Sequence, residues 1–132
     1  MQVRSVLLWG LVTFAIPFAT TAQPLLEKQV EQCVCEGMQT QVRTPAGTII
    51  DCVSETHAIE IDPTTNWAAA IGQSLHYASQ TGLKPKVILF CRADRGLNCL
   101  QDQLRFESTV AAYDLPIEAE FYGWADLREI CR

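Results

Sequence analysis

Positive charge is scarce in this sequence. Its 132 residues carry ten Lys and Arg against fifteen Asp and Glu, a net charge of -5 with neutral histidines. No basic run is present. An acidic chain gains little from general attraction to phosphates, which excludes broad electrostatic binding of nucleic acid. Contact with a phosphodiester backbone would need a local basic patch or bound metal ions. Internal repeats, low-complexity stretches and long linkers are also missing, which excludes solenoids and extended arrays.

A long membrane-spanning run is missing too. The apolar stretch from Val6 to Phe18 is interrupted by Gly10, Thr13 and Pro17, and a spanning helix needs about 20 apolar residues. With Arg4 before it and the small residues Ala19-Thr20-Thr21-Ala22 after it, the segment has the pattern of a secretory signal. Residues 1–22 are the expected signal peptide, cut between Ala22 and Gln23. The mature part, 23–132, is then about 110 residues, enough for one domain around one core. The expected location is the periplasm or the outside of the cell.

All six cysteines, Cys33, Cys35, Cys52, Cys91, Cys99 and Cys131, fall in that mature part. An even set in an exported domain points to disulfides, whose connectivity sequence alone leaves open. Cys91 and Cys99 flank a polar turn and can close it. Cys33 and Cys35 are too near each other to pair easily, so each is expected to reach a distant partner.

Periodicity gives a coarse element order. Pro24 to Glu36 reads as a helix, with Pro24 suited to its first turn. Gln39–Arg43 and Thr48–Val53 read as a hairpin around Pro45-Ala46-Gly47. Thr56 to Asp62 is a third strand, ended by Pro63. Thr64 and Thr65 are candidate N-caps for a helix from about Asn66 to Gln80, with Trp67, Ala70, Ile71, Leu75 and Ala78 as its apolar stripe. Lys86–Cys91 is a buried strand. Leu97–Tyr113 is a helix, Pro116–Tyr122 a strand and Trp124–Ile130 a short helix. The expected fold is a single α/β domain, a mixed sheet flanked by helices.

Strand parity then picks out a chemical cluster. Alternate residues share a face, so Ile49 and Asp51 are expected on one side of their strand, Ile50 and Cys52 on the other. In the next strand Ala58, Glu60 and Asp62 share a face. Pairing these strands lets Asp51, Glu60 and Asp62 converge. Three carboxylates repel unless a cation joins them, and carboxylate oxygens with water are the usual Mg2+ environment.

The segment Asp51-Cys-Val-Ser-Glu-Thr-His-Ala-Ile-Glu60-Ile-Asp62, followed by Trp67, Ile71-Gly72-Gln73, Leu75 and His76-Tyr77-Ala78, resembles PD-(D/E)XK nucleases. The resemblance covers most of the mature chain in element order; its sharp part runs from Gly47 to Ala78. It implies an αβββαβ core with Asp51 and Glu60 as the acidic pair. Gln73 and Tyr77 match a Gln-x-x-x-Tyr motif found on the next helix in some branches. It implies Mg2+ or Mn2+ held by Asp51, Glu60 and Asp62, a nucleic acid partner and phosphodiester hydrolysis.

The sequence departs from that pattern at one position. The superfamily's lysine should stand two residues after Glu60, where this chain has Asp62. The helix start, to which some relatives move the lysine, is Asn66. Arg43, Lys84 and Lys86 are the remaining cations near these elements. The alternative expectation is therefore a catalytically inactive binding protein on the same scaffold. Two bland readings complete the set. His57 and His76 are expected to be structural or exposed, and Cys33, Cys35, Cys52 and His57 form at most an irregular zinc set.

Overall fold

The computed structural model describes residues 26–132. The expected signal, its cleavage point and Pro24 lie outside the described residues. The elements are α1 (Glu27–Val34), β1 (Gln39–Arg43), β2 (Ile49–Val53), β3 (His57–Pro63), a 3-10 turn (Thr64–Asn66), α2 (Trp67–Thr81), β4 (Lys84–Phe90), α3 (Asn98–Ala112), β5 (Glu118–Tyr122) and α4 (Trp124–Ile130).

The five strands form one mixed sheet in chain order. β1, β2 and β3 are an antiparallel meander. α2 then carries the chain back so that β4 lies parallel to β3, and α3 does the same for β5. Parallel neighbours need such a helical crossover, whereas antiparallel ones need only a turn. β3 and β4 are central and covered on both faces, which is why Ile59, Ile61, Val87, Ile88, Leu89 and Phe90 are all buried.

Alternation along those strands divides the interior into two layers. Ile59, Ile61, Ile88 and Phe90 pack beneath Val30 of α1 and Leu127 of α4. Val87 and Leu89 pack beneath Ala70 of α2 and Phe106 of α3. Phe106 meets Phe121 of β5 edge-on, with ring centroids 5.6 Å apart, the geometry aromatic quadrupoles favour.

The helix and strand assignments hold, with shifts at their ends. Pro63 does not stop β3 but is its last residue, paired with Phe90. Thr64 and Thr65 lie within the 3-10 turn and give α2 no side-chain cap. Thr64 is buried, and its hydroxyl turns to Cys99 Sγ instead. The buried face of α2 is Ala70, Ser74 and Tyr77, one step round from the expected stripe. Ser74 can be buried because its hydroxyl donates back to the Ile71 carbonyl at 3.0 Å. α2 ends at Gly82, whose φ of 72° suits a residue without a Cβ.

Three disulfides join Cys33 to Cys131, Cys35 to Cys52 and Cys91 to Cys99. The expected local bridge forms, and Cys33 and Cys35 each find a distant partner. The first two tie α1 to the chain end and to β2. The zinc reading is thereby contradicted: its three thiols are consumed, and His57 faces Glu118 at 3.0 Å. Three bridges suit an oxidising environment. Among the described residues no helix is long and apolar enough to cross a membrane.

Candidate functional site

β2 and β3 leave their hairpin as a regular pair. Ser54 N–H donates to the His57 carbonyl, and Cys52 stands opposite Ile59. The same register two residues further on would set Ile50 opposite Ile61. The strands have parted by then, because their pairing ends at Cys52. Ile61 N–H donates instead to Asp51 Oδ2 at 2.8 Å. The Asp51 carboxylate thus takes the place of a backbone carbonyl in the ladder.

The buried face of β2 changes at this point. Cys52 joins Ile59 in the layer under α1, whereas Ile50 joins Ala58 and Tyr77 on the α2 side. This corrects the expectation that Ile50 and Cys52 share a face. The alternation breaks at Asp51 itself. The β1–β2 register skips Asp51 and the position facing it, Gln41, which has a φ of 52°. That left-handed conformation is unusual for a non-glycine residue. The Gln41 side chain is tied to α1 through a 2.8 Å bond from Nε2 to Glu31 Oε1.

Glu60 and Asp62 sit on the α2 face of β3, level with Val87 and Leu89. They are only 4% and 6% exposed. Asp62 Oδ1 accepts from Asn66 Nδ2 at 3.0 Å. Glu60 Oε2 is buried with no hydrogen-bond partner, an expensive position for an acceptor.

The electrostatics follow from this crowding. Burial, then the charges of Asp51 and Asp62, push the Glu60 carboxyl up to about 9. Burial raises Asp51 to about 6; the Ile61 N–H offsets part of that, while Glu31, Glu27 and Asp62 add to it. Asp62 is raised by burial against the opposing pull of Asn66 and Glu60. Glu27 is raised by burial, then by Asp62 and Glu31. Tyr77, on the buried face of α2, is raised to about 12 by burial and the Glu60 charge, with Gln73 opposing. The structure therefore brings Asp51, Glu60, Asp62, Gln73 and Tyr77 into one neighbourhood.

Sequence reasoning missed two members. Glu27 and Glu31 stand four apart on α1, hence on one face, and line a groove of about 530 Å³ with Gln41 and Asp51. Their spacing was the available signal, but nothing in it says that α1 lies beside Asp51. Five carboxylates thus gather here. Among the described residues, no salt bridge reaches Asp51, Glu60 or Asp62.

The candidate cations are elsewhere. Arg43 donates to the Gly47 carbonyl at 2.9 Å, and Lys86 pairs with Glu120. Lys84 opens β4, opposite His57 at the start of β3. His57 contacts Thr56 and Glu118, and His76 contacts Thr48, so neither histidine joins the carboxylates.

The donor chemistry fits a hard divalent cation: carboxylate oxygens, one of them orphaned, with Lys28 lining the same groove but forming no salt bridge to Asp51, Glu60 or Asp62. In their present conformations, no three His, Cys, Asp or Glu side chains among the described residues are arranged to hold an ion. Cation binding would therefore require side-chain rotation toward a shared point. No family model matches this chain, and neither does any curated protein or solved structure.

Proposed function

We propose that this chain is an exported, metal-dependent nuclease-like protein of the PD-(D/E)XK type, acting on phosphodiester bonds outside the cytoplasm. The observation that carries the reading is the unpartnered Glu60 oxygen, buried beside Asp51 and Asp62, with Glu27 and Glu31 acting in turn on Asp51. The meander, crossover helix and parallel fourth strand also suit that scaffold.

Asp51, Glu60 and Asp62 would hold Mg2+ or Mn2+. Bound there, the ion would supply an acidified water and shield phosphoryl charge. The protein's own groups have definable parts. Asp51 keeps β2 and β3 apart by capping Ile61 N–H. Asn66 orients Asp62. Tyr77, with its hydroxyl raised to about 12, stays protonated at neutral pH and can donate to a carboxylate or a phosphate oxygen. Gln73, one turn earlier, steadies that hydroxyl.

A second reading has its own observation. Asp62 occupies the lysine position and is held by Asn66, a neutral amide. Neither can stabilise developing negative charge as a cation would. On that reading the scaffold binds a partner without cleaving it. Incubating the oxidised protein with single- and double-stranded DNA and RNA, in Mg2+, Mn2+ or EDTA, separates the two. The nuclease reading expects metal-dependent cleavage that disappears in Asp51→Ala and Glu60→Ala. Absence of cleavage above those variants in every metal assigns the chain to the binding class.

A further inference from the structure

We infer that the loop closed by the Cys91–Cys99 disulfide is a phosphate-holding element for a single-stranded polynucleotide, which the carboxylate site would then act upon. The inference rests on the nuclease-like reading for its substrate class, but on different residues.

The first observation is where the chain spends its few cations. Three of its ten Lys and Arg, namely Arg92, Arg95 and Arg105, belong to this loop and the helix it feeds. One carboxylate, Asp102, receives both Arg95 Nη2 at 3.0 Å and Arg105 Nη1 at 3.2 Å. That trio keeps a net positive charge, within a loop and helix that Asp94 and Glu107 bring to neutrality. Asp102 is buried, whereas the Arg95 and Arg105 side chains remain 33% and 59% exposed. Arg95 Nε is buried and out of a ligand's reach, so any contact falls to the exposed parts of the two side chains. Two exposed guanidiniums sharing one carboxylate present further donors that phosphate oxygens can accept. Arg92 stands at the loop's start, paired only with exposed Asp94.

The second observation is the loop's address. It leaves the C-terminal end of β4, whose last residue, Phe90, pairs with Pro63, the residue after Asp62. Thr64 Oγ1 contacts Cys99 Sγ at 3.5 Å, joining the loop's far end to the end of the carboxylate strand. Cys91 N–H donates to the Tyr122 carbonyl at 2.8 Å. The disulfide clamps both ends, so the loop backbone is restrained before any ligand arrives. The first turn of α3 also carries no acidic residue to repel an anion.

The third observation sets the strand type. The patch is one loop wide, and the rest of the chain is acidic. That suits one or two phosphates rather than the long basic face that a duplex engages. Leu97, at the loop's end, is 89% exposed. It offers apolar surface to an unstacked base, which a duplex does not present.

The test is fluorescence anisotropy of a labelled single-stranded oligonucleotide, with EDTA present, in a Glu60→Gln background so that no cleavage intervenes. The expected result is binding whose logarithm falls with the logarithm of salt at a slope of about -1 to -2. Arg92→Glu is expected to weaken it at least about fivefold, and reduction of the disulfide to weaken it as well. Removing Arg95 can disturb buried Asp102, so Arg95→Lys is the second variant. It keeps the charge but loses the planar fork, and about threefold weakening is expected. Oligonucleotide binding that is unchanged in both variants overturns the inference. So does binding of the parent only to vesicles of anionic lipid, which would assign the arginines and exposed leucines of this region to a membrane surface. Cleavage by the wild-type chain with an unaltered KM in Arg92→Glu would overturn this inference and leave the nuclease reading standing. Arginine-dependent binding without cleavage would do the reverse.

Discussion

Glu60→Gln is expected to stabilise the protein at neutral pH while abolishing its response to divalent cations. The ordinary glutamate value is 4.5, and in the folded chain Glu60 stands at about 9. A raised acid holds its proton in the folded state after the unfolded chain has released it. Below about pH 4.5 both states are protonated and the group costs nothing; the penalty grows as pH rises toward 9. At pH 7 it has accumulated over roughly 2.5 pH units, about 3 kcal/mol at 1.36 kcal/mol per unit. Glutamine has the same shape and no proton to take up, and its amide can donate to Asp51 or Asp62. For a domain of about 110 residues that gain raises the Tm by roughly 10 °C. The assay is thermal unfolding from pH 4 to 8 in EDTA, then again with Mn2+. The wild type should lose stability with rising pH more steeply than the variant, with the two close together near pH 4. Mn2+ should restore the wild type and leave the variant nearly unmoved. A variant less stable than wild type at pH 7, or an offset constant across the pH range, would refute the reasoning.

Two other perturbations test the scaffold around the site. Asp51→Ala leaves Ile61 N–H without its acceptor and should be less stable than Asp51→Asn by about 1–2 kcal/mol in urea unfolding, because asparagine keeps an oxygen there; equal stabilities would show that the bond contributes nothing. Replacing Cys33 and Cys131 with serine opens a bridge of sequence separation 98, against 8 for Cys91 and Cys99. Loop-closure entropy puts the losses near 4.7 and roughly 2.6 kcal/mol respectively, so a lower denaturation midpoint for the short-loop variant would contradict that ordering.

The sheet was legible because its signals are local and redundant. Val87 to Phe90 is an apolar run with one structural solution, a strand covered on both faces. Ala58, Glu60 and Asp62 follow from period-two alternation along β3, which is regular throughout its pairing with β4. The local bridge at Cys91 and Cys99 follows from a short polar turn. The site's other half was not legible. Alternation fails at Asp51, where the β1–β2 pairing skips a position and Gln41 takes a positive φ that no residue type announces. Asp51 reaches the cluster through a backbone bond to Ile61 rather than through shared parity. Glu27 and Glu31 enter because Val30 packs α1 onto the sheet and two disulfides tie the helix to β2 and the chain end. Such long-range placement lies outside any window of sequence. Thr64 shows the same limit: a good capping residue in isolation, it was drawn instead into a buried contact with Cys99.

The most direct test of the proposed cation site is calorimetric titration of Mn2+ at pH 7 in two buffers that differ in ionisation enthalpy. Glu60 enters this experiment protonated, since its value of about 9 lies above the working pH, and a carboxylate must lose its proton to ligate. Saturable binding with release of about one proton per ion, lost in Glu60→Gln and weakened in Asp51→Asn, is the expected result. Absence of saturable binding, or binding with no proton released and no change in either variant, would contradict it.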